Sequence, residues 1–255
     1  MTERANKKRD QPPAEESPRE VCAVTSTART DVAADIDRTR SYWERQASDA
    51  RNDAERVDWH PRPQRMRFAV FTEMNDVAGK SVLDVGCGLG DLWLYLQHRR
   101  MNCEYVGFDI SSEMVRRCRE RFQGVRFESG NILEWDAGHQ FDYVVSIGIH
   151  NKPRVDHGLE VLDKITRRQF ELCRVAAHLS LLTDRYDGFG RDIQSWTAER
   201  VLSMALTITP YVVLRHDYLP KGILQQEVGH VFCSLFQSSR DELLMIARVI
   251  LSATL

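Results

Sequence analysis

The chain has 255 residues, a formal charge of −2, 42% hydrophobic residues and 28% charged ones. That is ordinary globular composition, long enough for one sizeable core or one core plus a tail. No basic excess asks for a nucleic-acid partner, and no run of about 18 apolar residues asks for a membrane.

Residues 1–35 are polar, rich in Glu, Arg, Pro and Thr, and nearly free of aromatics. Such a segment cannot bury enough apolar area to offset its ordering entropy, so a disordered tail is expected, with order beginning near Asp35. The opening "MTERANKKRDQPP" lacks the apolar stretch of a secretory signal. The six cysteines (Cys22, Cys87, Cys103, Cys118, Cys173 and Cys233) form no CxxC pair and no zinc-like spacing with histidine. Reduced thiols in a cytoplasmic protein, with no metal, are the expectation.

Residues 36–78 read as a helical lid. "DIDRTRSYWERQASDARNDAERV" has helix-forming composition with Tyr42 and Trp43 as its only large apolar groups. A second helix is expected over "PQRMRFAVFTEM", where Met66, Val70 and Met74 recur every four residues, with Pro61 and Pro63 separating the two.

From residue 79 to 238 short β-rich runs alternate with amphipathic segments. The runs are "SVLDVG", "CEYVGFDI", "VRFESG", "FDYVVSIGI", "AAHLSLLTD", "YVVLRHD" and "HVFCSLF". Between them, "SSEMVRRCRERF" sets Met114, Cys118 and Phe122 on one face, and its arginines read as a solvated face. "LEVLDKITRRQFELCRVAA" sets Leu159, Leu162, Ile165, Leu172 and Ala176 along one stripe. This alternation implies βαβ units and a mostly parallel sheet, covered by helices on both faces because the strands lack period-two alternation. Residues 239–255 open with Ser239 and Glu242 in capping-box spacing and continue apolar nearly all round. That terminal helix needs cover from its own domain or a second subunit, which makes a homodimer through it one expectation.

The turn "VGCGLGD" joins a buried strand to a helix for which Asp91 is the expected N-cap. Glycine there permits positive φ and lets a ligand touch the backbone, in the crevice where open α/β sheets bind ligands. A dinucleotide fingerprint would place its third glycine at position 91, where Asp91 stands, and no Lys-Ser/Thr follows for a phosphate loop. A ligand that is cationic or zwitterionic near the turn is favoured.

"VLDVGCGLGD" resembles the first motif of class I S-adenosylmethionine-dependent methyltransferases. "YVGFDIS", "ESGNILEW" and "FDYVVSIGI" resemble the motifs that follow it, in order, and the likeness runs over about residues 37–220. The resemblance implies a Rossmann-like, doubly wound α/β fold of seven strands, mostly parallel, the last antiparallel. It implies S-adenosylmethionine as cofactor and S-adenosylhomocysteine as product. Asp84 would organise the turn near the methionine amino group, with Gly86, Cys87 and Gly88 giving backbone access. Asp109 would take the ribose hydroxyls, beside Ile110, and Met114 would pack on the adenine. Asn131, where many members have Asp, would take the adenine amino group, with Ile132 offering its N–H. Ser146 and Ile147 would face the sulfonium. Gln64 and Arg67 match a lead-in that faces the cofactor's carboxylate end.

Methyl transfer from a sulfonium is an in-line displacement, and a base is needed only if the acceptor must lose a proton. His150, in the "GIHNKP" loop after the fourth strand, is the base candidate. Asn151 and Lys152 would orient an acidic substrate group, Tyr186 would face the substrate after the fifth strand, and Tyr42 would cover it from the lid. No (D/N)PP(Y/F) follows the fourth strand, no glutamate pair marks an arginine-methylating loop, and no acidic trio suggests a metal-dependent enzyme. A small-molecule acceptor remains by elimination. The competing readings are a noncatalytic S-adenosylmethionine or S-adenosylhomocysteine binder of the same fold, separated by turnover, and a dehydrogenase, separated by NAD binding.

Overall fold

The first strand, β1 (Ser81–Val85), is buried along its whole length. The computed structural model describes residues 28–49, 61–184, 192–216 and 230–238. Strand and helix alternate through β1, α3 (Asp91–His98), β2 (Glu104–Asp109), α4 (Ser112–Arg121), β3 (Arg126–Ser129), β4 (Phe141–Ile147), α5 (Gly158–Leu172), β5 (Cys173–Leu182), α6 (Ala198–Leu206), β6 (Val212–Arg215) and β7 (His230–Phe236). Two helices precede them, α1 (Ala28–Asp49) and α2 (Pro61–Met74).

The seven strands form one sheet in the order β3-β2-β1-β4-β5-β7-β6. The first five are parallel, and β7 inserts antiparallel between β5 and β6. The order reverses between β1 and β4, so the crevice at their carboxyl ends is the topological switch point. Both faces of the sheet are covered. Phe71, Val82, Leu92, Leu96 and Phe232 belong to one apolar cluster, and Leu83, Phe108, Phe141 and Val144 to another. Among the described residues no helix is long and apolar enough to cross a membrane.

Three boundaries differ from the expectations. Helix α1 starts at Ala28, upstream of Asp35, because Val32, Asp35 and Ile36 are buried and extend the docked face into the expected tail. Asp91 is not the N-cap of α3. Gly90 holds that position with φ of 76°, and Asp91 is the first helical residue, where its charge still complements the helix dipole. Helix α5 stops at Leu172 and β5 begins at once. Ala176 is therefore a strand residue opposite Tyr143 and Phe236, and Leu159 is exposed. The capping box at Ser239, the terminal helix and the expected dimer contact lie outside the described residues.

Candidate functional site

Of the three glycines that follow β1, Gly86 and Gly88 form part of the wall of a cavity. Gly86, Gly88 and Gly90 have φ of 77°, 53° and 76°, a region costly for residues with a Cβ. At Gly86 the requirement is also spatial, since a Cβ there would overlap Cγ2 of Ile149 from the loop after β4. Bare backbone at Gly86 and Gly88, with the side of Cys87, faces about 1240 Å³ of open space, its solvent mouth included. Cys118 Sγ closes the turn from behind by donating to the Gly88 carbonyl at 3.1 Å.

Asp109 ends β2 beside this turn and is 7% exposed. Its carboxylate accepts from Gly88 N at 2.8 Å and from Ser111 N at 2.9 Å. Burial raises its pKa to about 6; the two N–H groups oppose the rise, and the nearby Glu44 charge adds to it. Ile110, Met114, Asn131 and Ile132 continue the wall. Met114 is 2% exposed against Leu89 and Ala47, so it is core and lining at once. Asn131 Oδ1 accepts from Leu133 N at 3.1 Å, and its Nδ2 donates to Glu134 at 2.8 Å. Gln64 also reaches the cavity, donating to Asp91 Oδ2 at 3.2 Å.

Five expected residues do not line the cavity. Successive side chains of a strand point to opposite faces. Val85 lines the cavity while Asp84 turns away, accepting from the Tyr105 hydroxyl at 2.7 Å. Burial raises the Asp84 pKa to about 7, the Tyr105 hydrogen bond opposes that rise, and the charges of Asp109 and Asp91 add to it. Likewise Ile147 lines the cavity, while Ser146 is buried behind it toward Gln169 and the His178 carbonyl. Arg67 lies on the buried face of α2 with Phe68 and Phe71. On α1 the residues that line the cavity are Ile36, Thr39 and Trp43, at helical spacing, so Tyr42 faces elsewhere and meets Trp43 edge-on at 5.1 Å. Asn151 is buried and donates from Nδ2 to the Gln194 carbonyl at 3.0 Å, a structural bond. Tyr186 lies outside the described residues.

His150 does line the cavity, and its position is held from behind. Trp196 Nε1 donates to the His150 carbonyl at 3.1 Å, and Gln194 N donates to the Asn151 carbonyl at 2.8 Å. The imidazole is 8% exposed and its Nε2 has no hydrogen-bond partner. Burial lowers its pKa to about 3, so it is neutral near pH 7. Lys152 lines the cavity too, with Nζ 3.5 Å from Asp192 Oδ2. Gln194 and Trp196 were missed by sequence reasoning. The local signal was Trp196 as the one large apolar residue directly before the Thr197 cap of α6.

Helix α1 spans the cavity mouth on two carboxylates. Glu44 accepts from Ser112 N at 2.7 Å, Ser112 Oγ at 2.8 Å, Ser111 Oγ at 3.1 Å and Glu113 N at 3.3 Å, capping the start of α4. Asp35, 1% exposed, accepts from His157 N at 2.9 Å at the start of α5. Helix α4 follows the strand that ends on Asp109, and α5 follows the loop that carries His150. Trp43 adds a bond from Nε1 to the Lys152 carbonyl at 3.2 Å.

Residues 82–168 match the family model described as a methyltransferase domain. A protein of Mycobacterium tuberculosis named as a methyltransferase is 34% identical over 100 residues, which cover 35% of this chain and 60% of that protein. The fatty-acid O-methyltransferase of Mycolicibacterium smegmatis is 33% identical over 96 residues, covering 36% of this chain and 35% of that one. Each match thus spans less than two thirds of the relative's length. Among solved structures, the magnesium protoporphyrin IX methyltransferase of Synechocystis, crystallised with bound SAH, superposes with a TM-score of 0.58 at 14% identity, over 80% of this chain and all of that one. The match to a methyltransferase domain falls on the glycine turn, Asp109 and the β4 loop, and the chain shares the fold of the solved methyltransferase.

Proposed function

We propose that the chain binds S-adenosylmethionine and transfers its methyl group to a small-molecule acceptor, with His150 as the base. The observation that carries this reading is one cavity lined by two chemically different groups. The glycine turn and the buried carboxylate of Asp109 line it from the ends of β1 and β2, and His150 lines it from the loop after β4. The similarity to methyltransferases, one of them named for O-methylation, supports the same reading.

The residues present fit the cofactor. The Asp109 carboxylate is oriented by the Gly88 and Ser111 N–H groups and, as an acceptor at the cavity wall, would take a ribose hydroxyl. Asn131 Oδ1 likewise keeps one for an amino group. Gln64 and Asp91, paired beside the turn, would hold the cofactor's amino-acid moiety. When bound, S-adenosylmethionine supplies a methyl group already attached to a good leaving group. The chain's part is to hold the acceptor in line, keep the site dry and accept a proton. Neutral His150 has a lone pair for that proton. The imidazolium formed takes the place of the positive charge lost from sulfur, so the charge of the closed site does not change.

Release of S-adenosylhomocysteine from S-adenosylmethionine, screened against a metabolite panel, tests the reading. The wild type should turn over with at least one acceptor, and His150→Ala should slow it by roughly 10²- to 10⁴-fold with cofactor affinity kept. Tight cofactor binding with no turnover on any acceptor would instead assign a binding protein.

A further inference from the structure

Ser111 joins the cavity wall to helix α1. It is buried and caps the start of α4. Its N–H donates to Asp109 Oδ1 at 2.9 Å, and its Oγ accepts from Met114 N at 3.2 Å. Asp109 and Met114 both line the cavity. A serine hydroxyl has one proton to give, and away from water that proton needs an acceptor inside the chain. Glu44 Oε2 of α1 accepts it at 3.1 Å. The same carboxylate accepts the N–H groups of Ser112 at 2.7 Å and Glu113 at 3.3 Å, the first two residues of α4. One side chain from α1 thus holds the turn that hydrogen-bonds the Asp109 carboxylate.

The link is also electrostatic. The Glu44 charge opposes ionisation of Asp109. Carboxylates that share one serine repel, and a ligand that donates hydrogen bonds to Asp109 favours its charged form and offsets that repulsion. Helix α1 meets the same wall again through packing. Ala47 and Trp43 pack with Met114, and Ile36, Thr39 and Trp43 line the cavity themselves. Resting on the S-adenosylmethionine reading above, we infer that Glu44 is a positioning residue, which through Ser111 sets Asp109 for the ribose hydroxyls and makes cofactor binding and the seating of α1 cooperative. The coupling is reciprocal: the factor that a seated α1 adds to cofactor affinity is the factor that bound cofactor adds to the seating of α1. The part of the wall made by Ile36, Thr39 and Trp43 is then secured once the cofactor is in place.

Calorimetry with S-adenosylhomocysteine on the full chain tests this, with wild type, Glu44→Ala, Asp109→Ala and the double variant at about pH 7.5. That pH lies above the Asp109 pKa of about 6, so the carboxylate is ionised with or without its neighbour's charge and the titration reads its position. Glu44→Ala should weaken binding roughly five- to tenfold in the wild-type background. In Asp109→Ala the same change should cost less than about twofold, because the group it acts through is gone. Glu44→Gln, which keeps one acceptor oxygen, should lose only part of the affinity and guards against a poorly folded alanine variant. Amide exchange gives a readout that a plain helix cap would not move. S-adenosylhomocysteine should slow exchange across α1 in the wild type and should have no such effect on α1 in Glu44→Ala. Unchanged affinity in both Glu44 variants, an equal loss in both backgrounds, or ligand protection of α1 that persists in Glu44→Ala would overturn the inference. Failure of S-adenosylhomocysteine to bind the wild type would instead defeat the methyl-transfer reading, and is seen in the first titration.

Discussion

Asp84 and Val85 are neighbours in the chain and separate at the sheet, one toward Tyr105 and the other into the cavity. Every residue of β1 is buried, so no alternation in the sequence reveals which side chain faces the ligand. The same ambiguity hid the roles of Ser146 and Ile147. The glycine turn was legible because its spacing is local and its conformation demands glycine. Asp84 carries a pH signature. Its native pKa of about 7 stands above the ordinary 3.8, so the folded chain keeps a proton that the unfolded chain has lost. The stability this contributes is fully present below about pH 3.8 and is lost as pH rises through 7. Asp84→Asn, which does not titrate, should gain melting temperature relative to wild type between pH 4 and 8; a difference constant with pH would refute the assignment. Gly86→Ala should be far worse than its size suggests, since it meets both Ile149 and a φ of 77°. It should cost about 1–2 kcal/mol from conformation alone, with the clash in addition, read as a lower denaturant midpoint.

Helix α1 shows what composition reads and what it does not. Its helical character was legible, but its use was not. Asp35 and Glu44 look like surface charges in sequence, and their partners lie more than 60 residues away, at Ser112 and His157. Burial works to raise the Glu44 pKa, yet the hydrogen bonds from Ser112, Ser111 and Glu113 outweigh it and the net shift is downward. Its stabilisation is therefore present above the ordinary carboxylate pKa of 4.5 and is lost on acidification below it. Glu44→Ala should cost roughly 1–2 kcal/mol at neutral pH, as lost helix caps do, and should speed amide exchange across α1 and residues 111–114. Unchanged exchange in both segments would show that the strap is held by its apolar face alone. The α5–β5 junction was misplaced for a related reason. Val175, Ala176 and Ala177 extend the helical pattern in sequence, and only pairing with β4 and β7 draws them into a strand.

At the scale of the molecule, the alternation of strand and helix made the parallel half of the sheet legible, and the family resemblance supplied the antiparallel end. The stretch of cavity lining formed by Gly86, Gly88, Asp109 and Asn131 was readable because these residues follow one another along successive βα turns. The lining around His150 was less so, because Gln194 and Trp196 meet it only through tertiary pairing. We propose a nucleoside-binding switch point with Asp109 at its centre. Calorimetric titration of wild type and Asp109→Ala with S-adenosylmethionine, and with NAD as the competing ligand, tests this most directly. Stoichiometric binding of S-adenosylmethionine to the wild type is expected, weakened by about 1–3 kcal/mol, roughly 5- to 150-fold, in Asp109→Ala. Binding of NAD without S-adenosylmethionine, or an Asp109→Ala variant with unchanged affinity, would contradict it.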